Sequence, residues 1–458
     1  MAQDVRVSTS LLPKVIVSVK EPLTASTSPG KRGRYDTAMV YLVVAALVVR
    51  IGFMIVLGSY RFDLPDDRSD VNEQTLIARS IAQGHGFSSP FSETDTGPTA
   101  WVTPVYPYFI ALVFKHYGVM SWNSYKVIQA VQSLFSALTV LPLMGILSLA
   151  GSRRSGIGAA VLWAFFPWFS RWAVTWIWET SLSALLVGCV LWYAVWLGKR
   201  EGSESGASAR HWIGFGALWG FTLLVNPALG SLLPITLGYG LYERHRHGRA
   251  WLRPAVAALA VCFLTISPWL VRNRVEMGHW LFLRDNFGFE FALGNYHGSL
   301  GRGWGGKHPT GNPHEFARYR QLGEVAYIQE STAQAMRFVR HDPGEFLSLC
   351  VKRALYFWDG SGMEYRGPVA AYWLPWSFAW SSFLLLPALL ISGALELRAW
   401  RMFFLTIALY PIPYYLTHPP IRYRHMIEPV MVLLIAFAAI EGGAWLVSRF
   451  RKDGRESA

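Results

Sequence analysis

The sequence predicts an all-α integral membrane protein, a polytopic helix bundle of about ten spans with two long outer loops. Of its 458 residues, 52% are hydrophobic and 15% aromatic, only 16% are charged, and the mean hydropathy is positive. That composition is wrong for a soluble globular chain. Apolar stretches long enough to cross about 30 Å of hydrocarbon, which takes roughly 20 helical residues, recur from Ala38 to Val447. Lys and Arg collect in alternate connections, as the orientation rule for short loops requires.

Spans are expected at 38–58, 125–150, 155–170, 174–198, 212–227, 229–242, 254–271, 372–395, 402–416 and 428–448. Residues 1–36 lack a long apolar core with a cleavage site, so they read as a flexible cytosolic tail, and the first span reads as an uncleaved anchor. An N-terminal catalytic module, 37–271, contains the first outer loop, 59–124. A cap, 272–371, C-terminal membrane helices, 372–448, and a cytosolic tail, 449–458, follow. Lys31, Arg32 and Arg34, then Arg153 and Arg154, Lys199 and Arg200, the cluster Arg244 to Arg253, Arg398 and Arg401, and Arg449, Arg451 and Lys452 all fall on one side with this count. Both termini are therefore expected in the cytoplasm and the long loops on the outer side of the membrane.

The formal charge of +13 is explained by these juxtamembrane cations and anionic lipid. They form no basic domain or recognisable nucleic-acid motif, so no nucleic-acid partner is expected. Cys189 and Cys262 lie in spans and Cys350 in an outer loop, which leaves no exposed pair for a disulfide. CxxC and HExxH spacings, a P-loop and a dinucleotide glycine fingerprint are all missing, which argues against an ATP-driven pump or a nicotinamide enzyme.

The first outer loop carries an acidic run, Asp63-Leu-Pro-Asp66-Asp67-Arg-Ser-Asp70-Val-Asn-Glu73. Its residues 69–83 read as a helix with Asp70 as N-cap, a partial apolar face of Val71, Ile77, Ala78 and Ile81, and an end at Gly84 and Gly86. Residues 104–118 are apolar enough to span, but a crossing there would move every later basic turn to the other side. They are assigned instead to a half-buried interfacial helix, where Trp101, Tyr106 and Tyr108 are at home. The second loop opens with a Gly-rich aromatic stretch, Asn286 to Trp304, and closes with a helical stretch from about Glu315 to Phe357.

Acids at an outer membrane surface are the candidate chemistry. Asp70 and Glu73 share a helix face at i, i+3, although the same spacing suits a capping box. Glu179, in Trp176-Ile-Trp-Glu179, starts the fourth span, where an acid is costly unless paired; Arg171 is one available partner. Arg422 and Arg424 lie between Pro420 and the last span, a placement suited to a phosphate or to lipid headgroups. Arg272 and Asn273 end the seventh span on the same rim. Arg50, deep in the first span, reads as structural. His418 and His425 could recruit a divalent metal with an acid, but no metal or other cofactor is assigned.

Five features in order resemble the GT-C superfamily of polytopic glycosyltransferases that use a lipid-phosphate sugar. This group contains the dolichyl-phosphate-mannose-protein mannosyltransferases and the bacterial aminoarabinose transferases. The features are the Asp70/Glu73 helix ending in Ala78-Arg-Ser-Ile-Ala-Gln-Gly-His-Gly-Phe87, the Thr103-Pro-Val-Tyr-Pro-Tyr108 element, Glu179, Ser267-Pro-Trp-Leu-Val-Arg272-Asn273, and Ile421-Arg422-Tyr-Arg424. The resemblance covers residues 38 to about 445. It implies a periplasmic active site under two loops and transfer of a sugar from a polyprenyl-phosphate donor to an acceptor lipid, glycan or protein.

It also implies a first-loop carboxylate as general base, with Asp70 at the usual position counted back from Gly84 and Glu73 one turn on. Glu179 would be a second acid near the donor phosphate or the acceptor. A carboxylate there takes the acceptor's proton as its oxygen attacks with inversion, and Arg422, Arg424 and Arg272 would receive the leaving phosphate. Two other readings stand beside it, a transporter or flippase of lipid-linked sugars and a surface-polysaccharide polymerase or ligase. Transport would place facing polar residues at mid-bilayer, whereas these acids gather at the outer rim.

Overall fold

Apolar runs become helices wherever no proline or glycine interrupts them, and the breaks between helices prove as important as the helices. The computed structural model describes residues 29–61, 72–91, 95–303, 305–361 and 370–456. Helix α1 (Pro29–Leu57) contains the first expected span. It exposes Val40, Val44, Val48 and Val56, as a lipid-facing side requires, while Ala46 and Arg50 are buried. In the first outer loop follow α2 (Glu73–Ala82) and α3 (Val105–Tyr117). Helix α3 is half-buried as expected, with Tyr106, Ile110 and Phe114 inward and Tyr108 and Leu112 outward.

The bundle continues through α4 (Trp122–Leu138), α5 (Val140–Leu149), α6 (Arg153–Phe165), α7 (Pro167–Thr175), α8 (Thr180–Glu201) and α9 (Ala209–Val225). A 3₁₀ turn, Pro227–Leu232, then leads into α10 (Leu233–Arg246) and α11 (Leu252–Met277). The second outer loop holds α12 (Phe287–Gly294), α13 (Pro313–Leu322), α14 (Glu324–His341) and α15 (Pro343–Asp359). Its expected single helical stretch is three helices. Gly323 breaks the first junction at φ 75° and Pro343 begins a new helix at the second, where its missing N–H is no loss. Helices α16 (Ala370–Ala394), α17 (Trp400–Leu409), α18 (Ile412–Leu416), α19 (Arg422–His425), α20 (Glu428–Phe437) and α21 (Gly443–Glu456) complete the chain. No strand occurs among the described residues beyond an isolated bridge between Ser88 and Pro98.

Six helical stretches are long and apolar enough to cross a membrane: Gly33–Leu57, Trp122–Leu149, Thr180–Glu201, Leu252–Met277, Ser377–Ala394 and Glu428–Arg451. A seventh is possible if α6 and α7, bent by 50° at Phe166, act together. Pro167 causes that bend by forcing Phe166 into an extended conformation. The remaining expected spans are helical but shorter than these six stretches, with 17 residues in α9, 14 in α10 and 10 in α17.

A broken helix exposes carbonyl groups that an apolar surrounding cannot satisfy. At the end of α6 the partner is Arg50, which donates to the carbonyls of Trp163 (3.0 Å) and Ala164 (3.3 Å) and to Ser136 (2.7 Å). The structural reading of Arg50 therefore holds, with backbone rather than an acid as its partner.

The two outer loops are sewn together. Buried Glu324 of α14 accepts from the Ala100 N–H (2.6 Å) and from Tyr319 (2.8 Å). The Asp285 N–H donates to the Ala100 carbonyl (3.2 Å). Burial, reinforced by the Glu324 charge, raises the Asp285 carboxyl to about 9, and Glu324 is raised as well, chiefly by burial.

Candidate functional site

The start of α2 sets the first wall of the site. Asn72, not Asp70, caps this helix, accepting from the N–H groups of Gln74 (3.0 Å) and Thr75 (3.2 Å). Thr75 completes the capping box, so Glu73 is the first helical residue and has no capping duty. An Asn-x-x-Thr pattern two residues downstream serves the purpose assigned to Asp70 and Glu73. Asp70 itself lies outside the described residues.

Glu73 faces a cavity of about 100 Å³. Four other breaks in the helical structure meet it there. Trp101, Val102 and Thr103 precede α3, Trp178 and Glu179 lie between α7 and α8, Asn226 ends α9, and Tyr414, His418, Arg422 and Tyr423 come from the segment before the last long helix. The second outer loop closes the cavity with Arg284, Asn286, Glu290, Leu293 and His308.

His308 reaches across from the second loop to Glu73, with Nε2 3.1 Å from Oε1. Burial would raise the Glu73 carboxyl, but the hydrogen bond and charge of His308, with help from Arg422, outweigh it and pull the group below its usual range. For His308, burial favours the neutral ring, and the Glu73 bond and charge overcome this to raise it. The pairing thus favours the ionised form of Glu73 and the protonated form of His308. No other side chain bonds to Glu73 among the described residues.

Glu179 is also in the cavity, and both its oxygens are occupied. Gln74 Nε2 donates to Oε2 (2.8 Å) and Asn226 Nδ2 donates to Oε1 (3.3 Å). Glu290 is held similarly, by Asn286 Nδ2 (3.1 Å) at Oε1 and by His418 Nε2 (3.3 Å) at Oε2. Burial, stronger here than the pull of Glu290, lowers His418, so this imidazole is neutral.

The cations divide sharply. Arg422 lies over the Trp178 ring at 4.6 Å and the Tyr423 ring at 5.1 Å. Its guanidinium makes no hydrogen bond or ion pair among the described residues, and its buried Nε lacks a partner. Burial works against its charge, but Tyr423 and the carboxylates of Glu73, Glu290 and Glu179 outweigh that and keep it cationic. The guanidinium of Arg284, on the facing loop and lining the same cavity, likewise makes no hydrogen bond or ion pair among the described residues.

Arg424, two residues on, is elsewhere. It is wholly buried and bonds to Glu428 (3.1 Å), Ser381 (2.9 Å) and Ser382 (2.6 Å), so it holds the last spans together and does not line the cavity. His425 joins it on Glu428 at 2.6 Å. The short helical turn α19 sends alternate residues to opposite sides, which splits the Arg422-Tyr-Arg424 motif. Arg272 also stands outside the cavity. It donates to the carbonyls of Thr99 (2.6 Å) and Phe87 (2.9 Å) and stacks on Trp269 at 4.8 Å, which fixes the first loop against α11.

The structure therefore brings together Glu73, Glu179 and Arg422 and sets Arg424 and Arg272 apart. Arg284, Glu290 and His308 were missed from sequence. Glu290 carried a signal, as the one acid between Asn286 and Trp304; Arg284 and His308 did not. Among the described residues no group of three or more His, Cys, Asp or Glu side chains is placed to hold a metal ion.

No family model matches the chain, and no curated protein matches it. Among solved structures it is similar to the oligosaccharyltransferase of Archaeoglobus fulgidus tethered with an acceptor peptide, with a TM-score of 0.47 and 11% identity over 89% of this chain and 49% of that one. The archaeal oligosaccharyltransferase AglB from Archaeoglobus fulgidus, in complex with an inhibitory peptide and a dolichol-phosphate, gives 0.47 and 11% over 93% and 52%. ArnT from Cupriavidus metallidurans bound to undecaprenyl phosphate gives 0.40 and 13% over 88% and 77%. The chain spans about half the length of the archaeal oligosaccharyltransferase chains it matches.

Proposed function

We propose that this chain is a glycosyltransferase that moves a sugar from a polyprenyl-phosphate donor to an acceptor at the outer, periplasmic face of a bacterial inner membrane. The observation that supports it is one cavity in which an ionised carboxylate, Glu73, meets two guanidinium groups, Arg422 and Arg284, that make no ion pair among the described residues. An acceptor hydroxyl attacks the anomeric carbon and its proton passes to Glu73. The bond from that carbon to the phosphate oxygen breaks, and the electron pair leaves with the lipid phosphate. Attack opposite the leaving group inverts the centre.

Glu73 is the base in this reading because its carboxylate is ionised and held by a single side chain, whereas both oxygens of Glu179 are engaged by neutral amides. A base in place at the reacting hydroxyl contributes about 10²–10⁴-fold. Arg422 and Arg284 receive the charge that grows on the leaving phosphate. The side of the membrane rests on the distribution of Lys and Arg.

Two uncommitted guanidinium groups also suit a diphosphate-linked donor, which would make the chain a polysaccharide polymerase or ligase. The test is to incubate membranes containing the protein with radiolabelled polyprenyl-phosphate and polyprenyl-diphosphate sugars, comparing wild type with Glu73→Gln, Asp70→Asn and Glu179→Gln. Consumption of the monophosphate donor, lost in Glu73→Gln, is expected. Turnover of neither donor would overturn the reading, as would folded variants that all match wild type.

A further inference from the structure

Gln132 lies on α4, fully buried at 0% exposure, in a stretch long and apolar enough to cross a membrane. A carboxamide in such a setting is expensive unless all of its hydrogen-bonding capacity is used. Here it is. Nε2 donates to the carbonyls of Ala173 (2.9 Å) and Trp176 (2.8 Å), and Oε1 accepts from the Trp178 N–H (3.2 Å) and from the Tyr106 hydroxyl. Two carbonyls on one end and an N–H on the other also fix which end is oxygen.

Two of these partners, Trp176 and Trp178, lie in the gap between α7, which ends at Thr175, and α8, which begins at Thr180, and a third, Ala173, is in the last turn of α7 that runs into it. Trp176 in that gap is extended, at φ −134° and ψ 136°, so the helical ladder is interrupted and its backbone groups need outside partners. The gap carries Trp178, whose ring lies under the Arg422 guanidinium at 4.6 Å, and Glu179. The fourth partner, Tyr106, ties the same amide to α3 of the first outer loop.

We propose that Gln132 is a positioning residue that sets the Trp176–Glu179 gap, and through Trp178 the Arg422 guanidinium, in the geometry that binds a lipid phosphate. This rests on the function proposed above. An apolar residue at 132 leaves two carbonyls and an N–H unpartnered in a dry bundle, and the gap relaxes until they find others. Arg422 then loses the aromatic face that fixes its direction.

The test is equilibrium binding of tritiated undecaprenyl phosphate to the full chain in nanodiscs, with the melting temperature measured on the same samples. Wild type is compared with Gln132→Leu and with Tyr106→Phe, which removes one of the four bonds and leaves the gap's own backbone partners in place. The Kd is expected to rise about tenfold in Gln132→Leu, as unpartnered buried groups imply, and by a smaller factor in Tyr106→Phe. A purely structural role would lower the melting temperature of the folded variants and leave Kd unchanged, which overturns the inference. If Gln132→Leu does not fold, Tyr106→Phe decides, a raised Kd supporting the proposal and an unchanged one overturning it. If wild type itself fails to bind undecaprenyl phosphate, the functional reading fails and this inference falls with it, whereas tight wild-type binding with unaltered variants sinks only the inference.

Discussion

Arg422 and Arg424 are two residues apart, and they belong to opposite kinds of place. Arg424 sits in the bundle with every direction answered, by Glu428, two serine hydroxyls and the Phe378 carbonyl. Arg422 sits on the cavity with aromatic rings beneath it and no hydrogen bond or ion pair among the described residues. The difference is in the company each charge is given. Removing one member of a closed buried pair strands the other, whereas an open cation surrounded by carboxylates it does not touch is ready for an anion. The same contrast separates Glu428, locked by Arg424 and His425, from Glu73, which a single imidazole ring holds.

This contrast can be broken by experiment. The largest effect is expected from Glu73→Gln, with turnover of the lipid-phosphate donor falling about 10²–10⁴-fold and the melting temperature near that of wild type. Parallel losses of fold and activity would instead place Glu73 with the structural charges. Next, Arg424→Met is expected to destabilise the protein by about 3–5 kcal/mol, since Glu428 is left buried without its cation; thermal melting in detergent reads this directly. An Arg424→Met protein that melts normally yet fails to bind donor would erase the distinction between the two arginines.

Arg422→Gln should do the reverse, lowering turnover about 10²–10³-fold while leaving the melting curve close to wild type. Retained turnover with a collapsed melting temperature would contradict the role given to its open position.

The smallest effect concerns the seam between the outer loops. Asp285 is raised to about 9, so folding retains a proton that the unfolded chain releases near the ordinary Asp value. Its stabilisation is complete below that value and is lost as pH rises through about 9. Melting temperature should therefore fall between neutral pH and pH 9 in wild type, and Asp285→Asn should flatten that fall. An unchanged slope would remove Asp285 from the account.

Local signals were legible where the physics is local. The long apolar runs became α1, α4 with α5, α8, α11, α16 and α20 with α21. The half-buried helix before Tyr117 was recoverable from its aromatic residues and from the charge rule. The cap of α2 was misplaced because Asp70 and Asn72 are both good caps and only Asn72 has Thr75 three residues on. Two of the shorter helices were expected to be too long where Pro167 and Pro411 interrupt hydrophobic runs, since hydropathy does not register a missing N–H.

Hydrophobicity and its period by themselves determined that this is an all-α membrane chain, because burial of apolar side chains and backbone satisfaction in lipid leave few alternatives. Which charges are open and which are closed was decided by tertiary structure alone. His308 meets Glu73 across more than two hundred residues, Gln132 serves a gap on another helix, and a four-residue turn aims Arg422 at a cavity and Arg424 into the core. Those pairings depend on distances in space that no spacing along the chain encodes.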